Sequence, residues 1–262
     1  MHTRYPLILV HGLAMKDTFF MRAFGRIDRI LRIQGYTVYV SRIDAFGSVE
    51  SNAAQLKSEI EAILAHENVE KVNIIAHSKG GLDAKHMIDC LDLANHTASL
   101  TTLCTPHRGS PIASFILRFP EFLLKYAAFF VNLAYRILGD KNPDALTACK
   151  QLRRISPEEE SSLPTSRGLF CQSFSASINE KDRHTDFIMG IPAFFSRLID
   201  KNAVTDGLVP QDSAIFGDYR GECIDGSVSH TEIVDFMVRD KYRDRIFAFY
   251  SSLCEELAQM GL

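Results

Sequence analysis

A serine flanked by small residues, Ala76-His77-Ser78-Lys79-Gly80-Gly81, lies where a strand-forming run (Val72 to His77) meets a helix-forming one (Gly80 to Leu91). A serine on so tight a strand-to-helix turn sits on strained backbone with its hydroxyl exposed. Small residues two before and two after it let the two backbones approach closely. The usual spelling is G-x-S-x-G, and here Ala76 takes the first position. A serine hydroxyl is a weak nucleophile at neutral pH, so it needs a base that is itself oriented by an acid. After an elbow of this kind the acid and then the histidine follow in chain order. His107 comes too early, and His184 precedes the best acid. His230, in Gly226-Ser227-Val228-Ser229-His230-Thr231-Glu232, stands just before the closing helix. Thr205-Asp206-Gly207-Leu208-Val209-Pro210 sets Asp206 in a turn upstream of it. Alone, Asp-Gly is an ordinary turn; beside the serine and the histidine, Asp206 reads as the acid. The chemistry expected is acyl transfer: Ser78 attacks, His230 carries the proton and Asp206 orients the imidazole. The developing oxyanion needs backbone N–H donors, expected from Lys79 and, in His11-Gly12-Leu13-Ala14, from Leu13. The Lys79 ammonium is expected to be solvated or at the pocket mouth, with no chemical role.

These residues need elements to hold them. Tyr5 to Val10 is a continuous apolar run that suits a strand buried on both faces. Asp17 is read as the N-cap of a helix carrying Phe20, Phe24, Ile27, Ile30 and Leu31 toward Ile33. Tyr36 to Val40 is the next strand, Ser51 to His66 a helix, Val72 to His77 a strand, Gly80 to Leu91 a helix and Ser99 to Thr105 a strand. This alternation implies a mostly parallel central sheet flanked by helices, an α/β fold. Gly168 to Ser175 and Arg220 to Ile224 are expected as later strands, and Asp240 to Leu257 as the closing helix. No internal repeat, low-complexity tract or linker divides the chain, so residues 1–262 read as one domain.

The composition agrees. The 262 residues carry 29 Lys+Arg against 32 Asp+Glu, a net charge of -3, with 46% hydrophobic residues. That excludes a disordered chain and removes any electrostatic reason to expect nucleic acid. No apolar run reaches the roughly 20 residues that span a bilayer. The six cysteines lack close C-x-x-C spacing, so free thiols are expected, with Cys171 and Cys223 able to pair if the protein is exported. Met1 to Gly12 does not read as a secretory signal. The expected location is the cytoplasm, or outside the cell if the chain is a processed mature form.

Several blocks together resemble a known family. Tyr5-Pro6-Leu7-Ile8-Leu9-Val10-His11-Gly12-Leu13, the His77-Ser78-Lys79-Gly80-Gly81 elbow, Thr105-Pro106-His107-Arg108-Gly109-Ser110 and Asp206-Gly207-Leu208-Val209-Pro210 are similar to bacterial triacylglycerol lipases of the α/β-hydrolase superfamily. The likeness includes clostridial relatives that share the H-S-K-G-G elbow and a G-V-S-H loop. It runs from residue 5 to about 235. It implies an α/β-hydrolase fold, an acyl-enzyme mechanism, a fatty-acyl pocket and a mobile lid. It puts the nucleophile at Ser78, the acid at Asp206, the base at His230 and the oxyanion donors at Leu13 and Lys79.

The resemblance also implies a lid inserted at residues 111–150. There the chain is apolar almost all round: Phe122, Tyr126, Phe129, Leu133 and Ile137 form one helical stripe with Phe130 beside it, broader than a soluble helix needs. A core helix is the alternative reading. Phe129 and Phe130 on the lid, with Phe194 and Phe195 on a second apolar patch, Met189 to Ile199, are expected to wall the acyl pocket. Of the 18 Phe, those at 115–130 and 194–195 are therefore expected to face lipid rather than core. The family tends to hold a structural calcium through an acid two residues after the histidine, here Glu232, with Asp182, Asp186 or Asp200 as further ligands. A solvated glutamate in a first helical turn needs no metal, and no cofactor is the favoured expectation. His86 and His107 lack the close ligand pair that zinc would need. The activity expected is carboxylic-ester hydrolysis on a lipid or ester substrate at an oil–water interface, most simply by a lipase. The alternatives are a carboxylesterase or polyester depolymerase, an acyltransferase, and a non-catalytic binding module on the same fold.

Overall fold

The computed structural model describes residues 2–19, 21–156, 159, 168–179, 188–199, 204–225 and 228–262. Six strands, β1 (Leu7–Val10), β2 (Val38–Val40), β3 (Val72–His77), β4 (Thr97–Leu103), β5 (Phe170–Ser175) and β6 (Asp218–Glu222), form one sheet in the order β2-β1-β3-β4-β5-β6. Every neighbouring pair is parallel. The helices are α1 (Ile27–Ile33), α2 (Val49–Glu67), α3 (Lys79–Cys90), α4 (Pro111–Ile116), α5 (Glu121–Ile137), α6 (Ala145–Gln151), α7 (Gly190–Ile199), α8 (Gln211–Ala214) and α9 (Asp240–Gln259). The chain runs outward from β1 to β2 and then crosses back to β3. The loops leaving β1 and β3 therefore part at a topological switch, where open parallel sheets bind ligands. This is the α/β-hydrolase arrangement expected from the sequence.

The unbroken apolar strands follow from cover on both faces. Leu7, Leu9 and Ile75 pack with Ile27 and Leu31 of α1 and Ile246, Tyr250 and Leu257 of α9. Ile8, Val10, Ile74 and Ala76 pack against Leu56 and Ile60 of α2 and Ala84 and Met87 of α3. Alternate residues of one strand thus enter two different cores. Helix α2 opens at Ser48, whose hydroxyl accepts the Ser51 N–H at 3.2 Å, and ends on left-handed Asn68, a capped helix at both ends.

The helix expected from Asp17 forms only from Ile27. The Asp17 carboxylate accepts the Ala23 N–H at 2.8 Å and the Thr18 hydroxyl accepts the Met21 N–H at 3.1 Å. These side chains compete with helical hydrogen bonds and hold the segment in turns. Phe20 of the expected stripe lies outside the described residues.

Two glycines let the elbow close against the first strand. A Cβ on Gly12 would fall 2.6 Å from the Ser78 Cβ, and one on Gly80 only 2.4 Å from the His11 carbonyl oxygen and 2.8 Å from that of Val10. Gly80 is an early residue of α3, where helix propensity alone favours alanine by ~1 kcal/mol. The close approach reverses that sign. Gly80→Ala should lower stability by about 1–3 kcal/mol in urea unfolding; a variant more stable than wild type would contradict the packing described.

Candidate active site

Ser78 leaves β3 at φ 54 and ψ -133, a strained conformation for a residue with a side chain. Its hydroxyl meets the histidine loop: Ser78 Oγ lies 2.8 Å from His230 Nε2, and His230 Nδ1 lies 2.7 Å from Asp206 Oδ2. All three side chains are buried. Since the carboxylate only accepts, Nδ1 carries the proton and Nε2 faces the serine as acceptor. The arrangement can pass the serine proton to the imidazole while Asp206 stabilises the imidazolium.

Each partner is held by its own backbone setting. Asp206 lies in the turn between β5 and β6, where its other oxygen accepts the Leu208 and Val209 N–H groups at 2.9 and 2.8 Å. The His230 N–H donates to the Asp206 carbonyl at 2.9 Å. Two residues on, the Glu232 carboxylate accepts the Ser229 N–H, the Arg239 N–H and the Arg239 guanidinium, the last at 2.7 Å. Both oxygens are so engaged, and the Arg239 guanidinium already balances the charge. Glu232 does not fit a calcium ligand, and no step is assigned to a metal. Asp182, Asp186, Asp200 and His184 lie outside the described residues, as do Gly226 and Ser227.

The expected oxyanion donors are the N–H groups of Lys79 and Leu13. Lys79 is the first residue of α3, so its N–H has no intrahelical acceptor. Leu13 lines the same cavity as Ser78, and its N–H meets no acceptor among the described residues. The Lys79 side chain departs from expectation. Instead of solvent or the pocket mouth, it is buried in an ion pair with Asp83, Nζ to Oδ1 2.6 Å, and Asn52 Nδ2 donates to the second Asp83 oxygen at 3.0 Å. The pair spans i to i+4, which puts both side chains on one helix face. That spacing is legible in the sequence.

Ser78 and His230 open on a cavity of about 430 Å³, lined by carbon from Met15, Met21, Ile112, Ile116, Leu152, Met189 and Val234. Its walls come from the loop after β1, from α4 and α6, and from the entrance of α7. Two larger surface clefts, of about 510 and 470 Å³, carry mixed charges and include none of the three residues. Phe129, Phe130, Phe194 and Phe195 do not line the cavity. They are 44–61% exposed on α5 and α7, and neighbours are more so, with Phe122 70% and Ile137 79% exposed. The α5 stripe expected to cover the pocket therefore faces outward, and the shorter α4 supplies the wall. A break at Pro120 separates the two helices, so one apolar run does two different things.

All six cysteines are free thiols, so Cys171 and Cys223 are not bridged. Cys223 lies instead against Cys104. Hydrogen bonding to Cys223, burial and the charge of Asp206 push the Cys104 thiol well above its usual range. The Cys104 sulfur lies within 4.8 Å of both Asp206 and His230, a neighbour that no sequence signal marked.

No protein-family model matches the chain. The chain is 27% identical over 255 residues to triacylglycerol lipase 2 of Saccharomyces cerevisiae, covering 90% of this chain and 73% of that one. It is 39% identical over 119 residues to a triacylglycerol lipase of Pseudarthrobacter phenanthrenivorans, 44% of this chain and 37% of that one. Among solved structures it superposes on a metagenomic carboxyl esterase with a TM-score of 0.72 at 19% identity, over 96% of this chain and 76% of that one. It superposes on lipase 1 of Pelosinus fermentans with a TM-score of 0.68 at 15% identity, over 99% of each chain. These superpositions establish the fold.

Three other histidines, His11 and His77 buried and His107 half-buried, are pushed toward the neutral form. Burial depresses His11, and burial with the His230 charge takes His77 well below the usual histidine range. Burial, then Lys85 and Arg108, pushes His107 down to about 3, where its ring stacks on Phe216 at 4.5 Å. On unfolding each ring regains its ordinary affinity near 6.5, so the unfolded chain binds more protons as the pH falls below that value. Stability is complete above about 6.5 and is lost below it, by up to ~1.4 kcal/mol per pH unit for each ring still neutral in the fold. Urea unfolding at pH 7.5, 6.0 and 5.0 should show this decline; a flat profile would contradict the buried neutral rings.

Proposed function

We propose that this chain, a hydrolase of the lipase and esterase kind by sequence similarity and fold, cleaves long-chain carboxylic esters such as acylglycerols through an acyl-enzyme on Ser78. The observation that carries the reading is the continuous Ser78–His230–Asp206 hydrogen-bonded path at the wall of a carbon-lined cavity. The acyl chain lies among Met15, Met21 and Met189, whose unbranched side chains adapt to the chain's shape. Ser78 Oγ attacks the ester carbonyl as His230 Nε2 takes its proton. The carbonyl oxygen becomes an oxyanion facing the Leu13 and Lys79 N–H groups. Collapse breaks the ester C–O bond, and His230 returns the proton to the departing alcohol. Water then adds to the acyl-enzyme, gives its proton to His230, and the acid leaves as Ser78 regains its hydrogen.

The exposed apolar faces of α4, α5 and α7 support contact with a lipid–water interface. Phe119, Phe122, Phe129, Phe194 and Leu198 lie in water in the structure, and so large an apolar surface marks an interaction site. Residues 111–150 then act at the interface as a movable cover over the cavity. Among the described residues no helix is long and apolar enough to cross a membrane, so the contact is a surface one. The six free thiols suit a reducing compartment. An esterase acting on dissolved esters is the second reading, favoured by a cavity that already opens beside Ser78.

Two measurements test these readings. Across a series of p-nitrophenyl esters, wild type should prefer octanoyl and longer chains to acetyl, and Ser78→Ala should lose activity by about 10³-fold or more; a fully active variant would remove Ser78 from the mechanism. With a short triacylglycerol, the rate should rise abruptly where droplets form. A smooth curve through the solubility limit would replace the interfacial reading with the esterase one.

A further inference from the structure

His77 is the last residue of β3, one peptide bond before Ser78. Its Nε2 lies 2.9 Å from the His230 carbonyl oxygen, and the two rings are 4.6 Å apart at 47°. A carbonyl oxygen can only accept, so Nε2 carries the hydrogen. Burial and the His230 charge hold the ring neutral, which leaves Nδ1 bare, and that nitrogen has no partner among the described residues. The ring's one hydrogen bond is thus spent on the backbone of the base.

The bond matters because of what the other bonds to His230 do not fix. Its N–H and its Nδ1 both go to Asp206, on a separate loop from the nucleophile. They orient the imidazole against Asp206 and leave its distance from the elbow free. Among the described residues, only the His77 bond ties the main chain of His230 to the segment that carries Ser78. Consecutive Cα atoms are 3.80 Å apart across a trans peptide, so the position of the elbow passes directly to the base. A charged ring at the same place would oppose the imidazolium that forms on His230 in each half-reaction.

We propose that His77 is a positioning residue: its Nε2–H···O=C bond to His230 sets the imidazole at proton-transfer distance from the Ser78 hydroxyl. This rests on the acyl-enzyme reading of Ser78 and His230 above. A displacement of about 1 Å can cost on the order of 100-fold in rate. Losing the donor should therefore lower kcat with little change in KM, because His77 is one residue of the cavity wall and the carbon lining that takes the acyl chain stays in place.

The test compares wild type, His77→Phe, His77→Met, His77→Gln and Ser78→Ala on dissolved p-nitrophenyl butyrate. Rates are normalised to the endpoint of labelling by a fluorophosphonate, which counts folded sites. Phe and Met remove the donor, while Gln carries an N–H the same number of bonds from Cβ. The expected result is a kcat roughly 10- to 100-fold lower for Phe and Met, KM within about two-fold, and Gln within about three-fold of wild type. Wild-type kcat per labelled site in Phe or Met would overturn the proposal, and so would a Gln variant as slow as they are. Should the Phe variant yield no labelled protein, the Met and Gln pair gives the same comparison. An active Ser78→Ala would overturn the acyl-enzyme reading itself, an outcome separate from either result at His77.

Discussion

Everything in the site follows from one strained residue. Ser78 holds φ 54 and ψ -133, a conformation that costs of order 1–3 kcal/mol and lasts only where its surroundings leave no alternative. Those surroundings are the centre of the sheet on one side and α3 on the other. The carbonyls of β1 fill the space where a Cβ on Gly80 would stand. Lys79 and Asp83 close a buried ion pair one turn into the helix. Breaking such a pair by removing one partner strands a charge at a cost of about 3–5 kcal/mol, so the pair resists any rotation of the elbow. The strain turns the serine hydroxyl toward His230 and the carbon-lined cavity.

The histidine loop has no such scaffold and is held by polar bonds. Asp206 takes both the imidazole and the main-chain N–H of His230, His77 takes its carbonyl, and Glu232 with Arg239 pins the chain two residues on. Buried charges here are paired with one another, as burial requires. The price of this arrangement is acid sensitivity, since His11, His77 and His107 must all stay neutral in the fold.

Much of this was legible in the residues. The order Ser78, Asp206, His230 and the strand–turn–helix setting of the serine were readable because elbow chemistry is local. The parallel sheet was readable because strands covered on both faces carry unbroken apolar runs, as Val72 to His77 does. What escaped depended on contacts that no local pattern announces. Asp17 resembled a helix cap, but its carboxylate bonds to Ala23 and holds a turn. Glu232 resembled a metal ligand until Arg239, seven residues away, closed on it. The apolarity of α5 was plain, whereas its facing was not: a hydrophobic stripe does not reveal whether it meets core, pocket or solvent. Cys104 carried no pattern, and His77 entered only as part of the elbow, with nothing to show that its partner lies on the histidine loop.

On the proposed reading, the cavity accepts one acyl chain and the outer apolar faces meet the bulk phase that supplies it. The central claim beneath both is covalent, and mass spectrometry reads it directly. Wild-type protein is mixed with a slowly deacylating p-nitrophenyl ester, quenched in acid and digested. The account requires one acyl group per chain, on the peptide containing Ser78 and absent from Ser78→Ala. Acylation at Cys149 or Cys104 instead, or turnover with no acylated peptide under conditions where a burst of p-nitrophenol is seen, would contradict it.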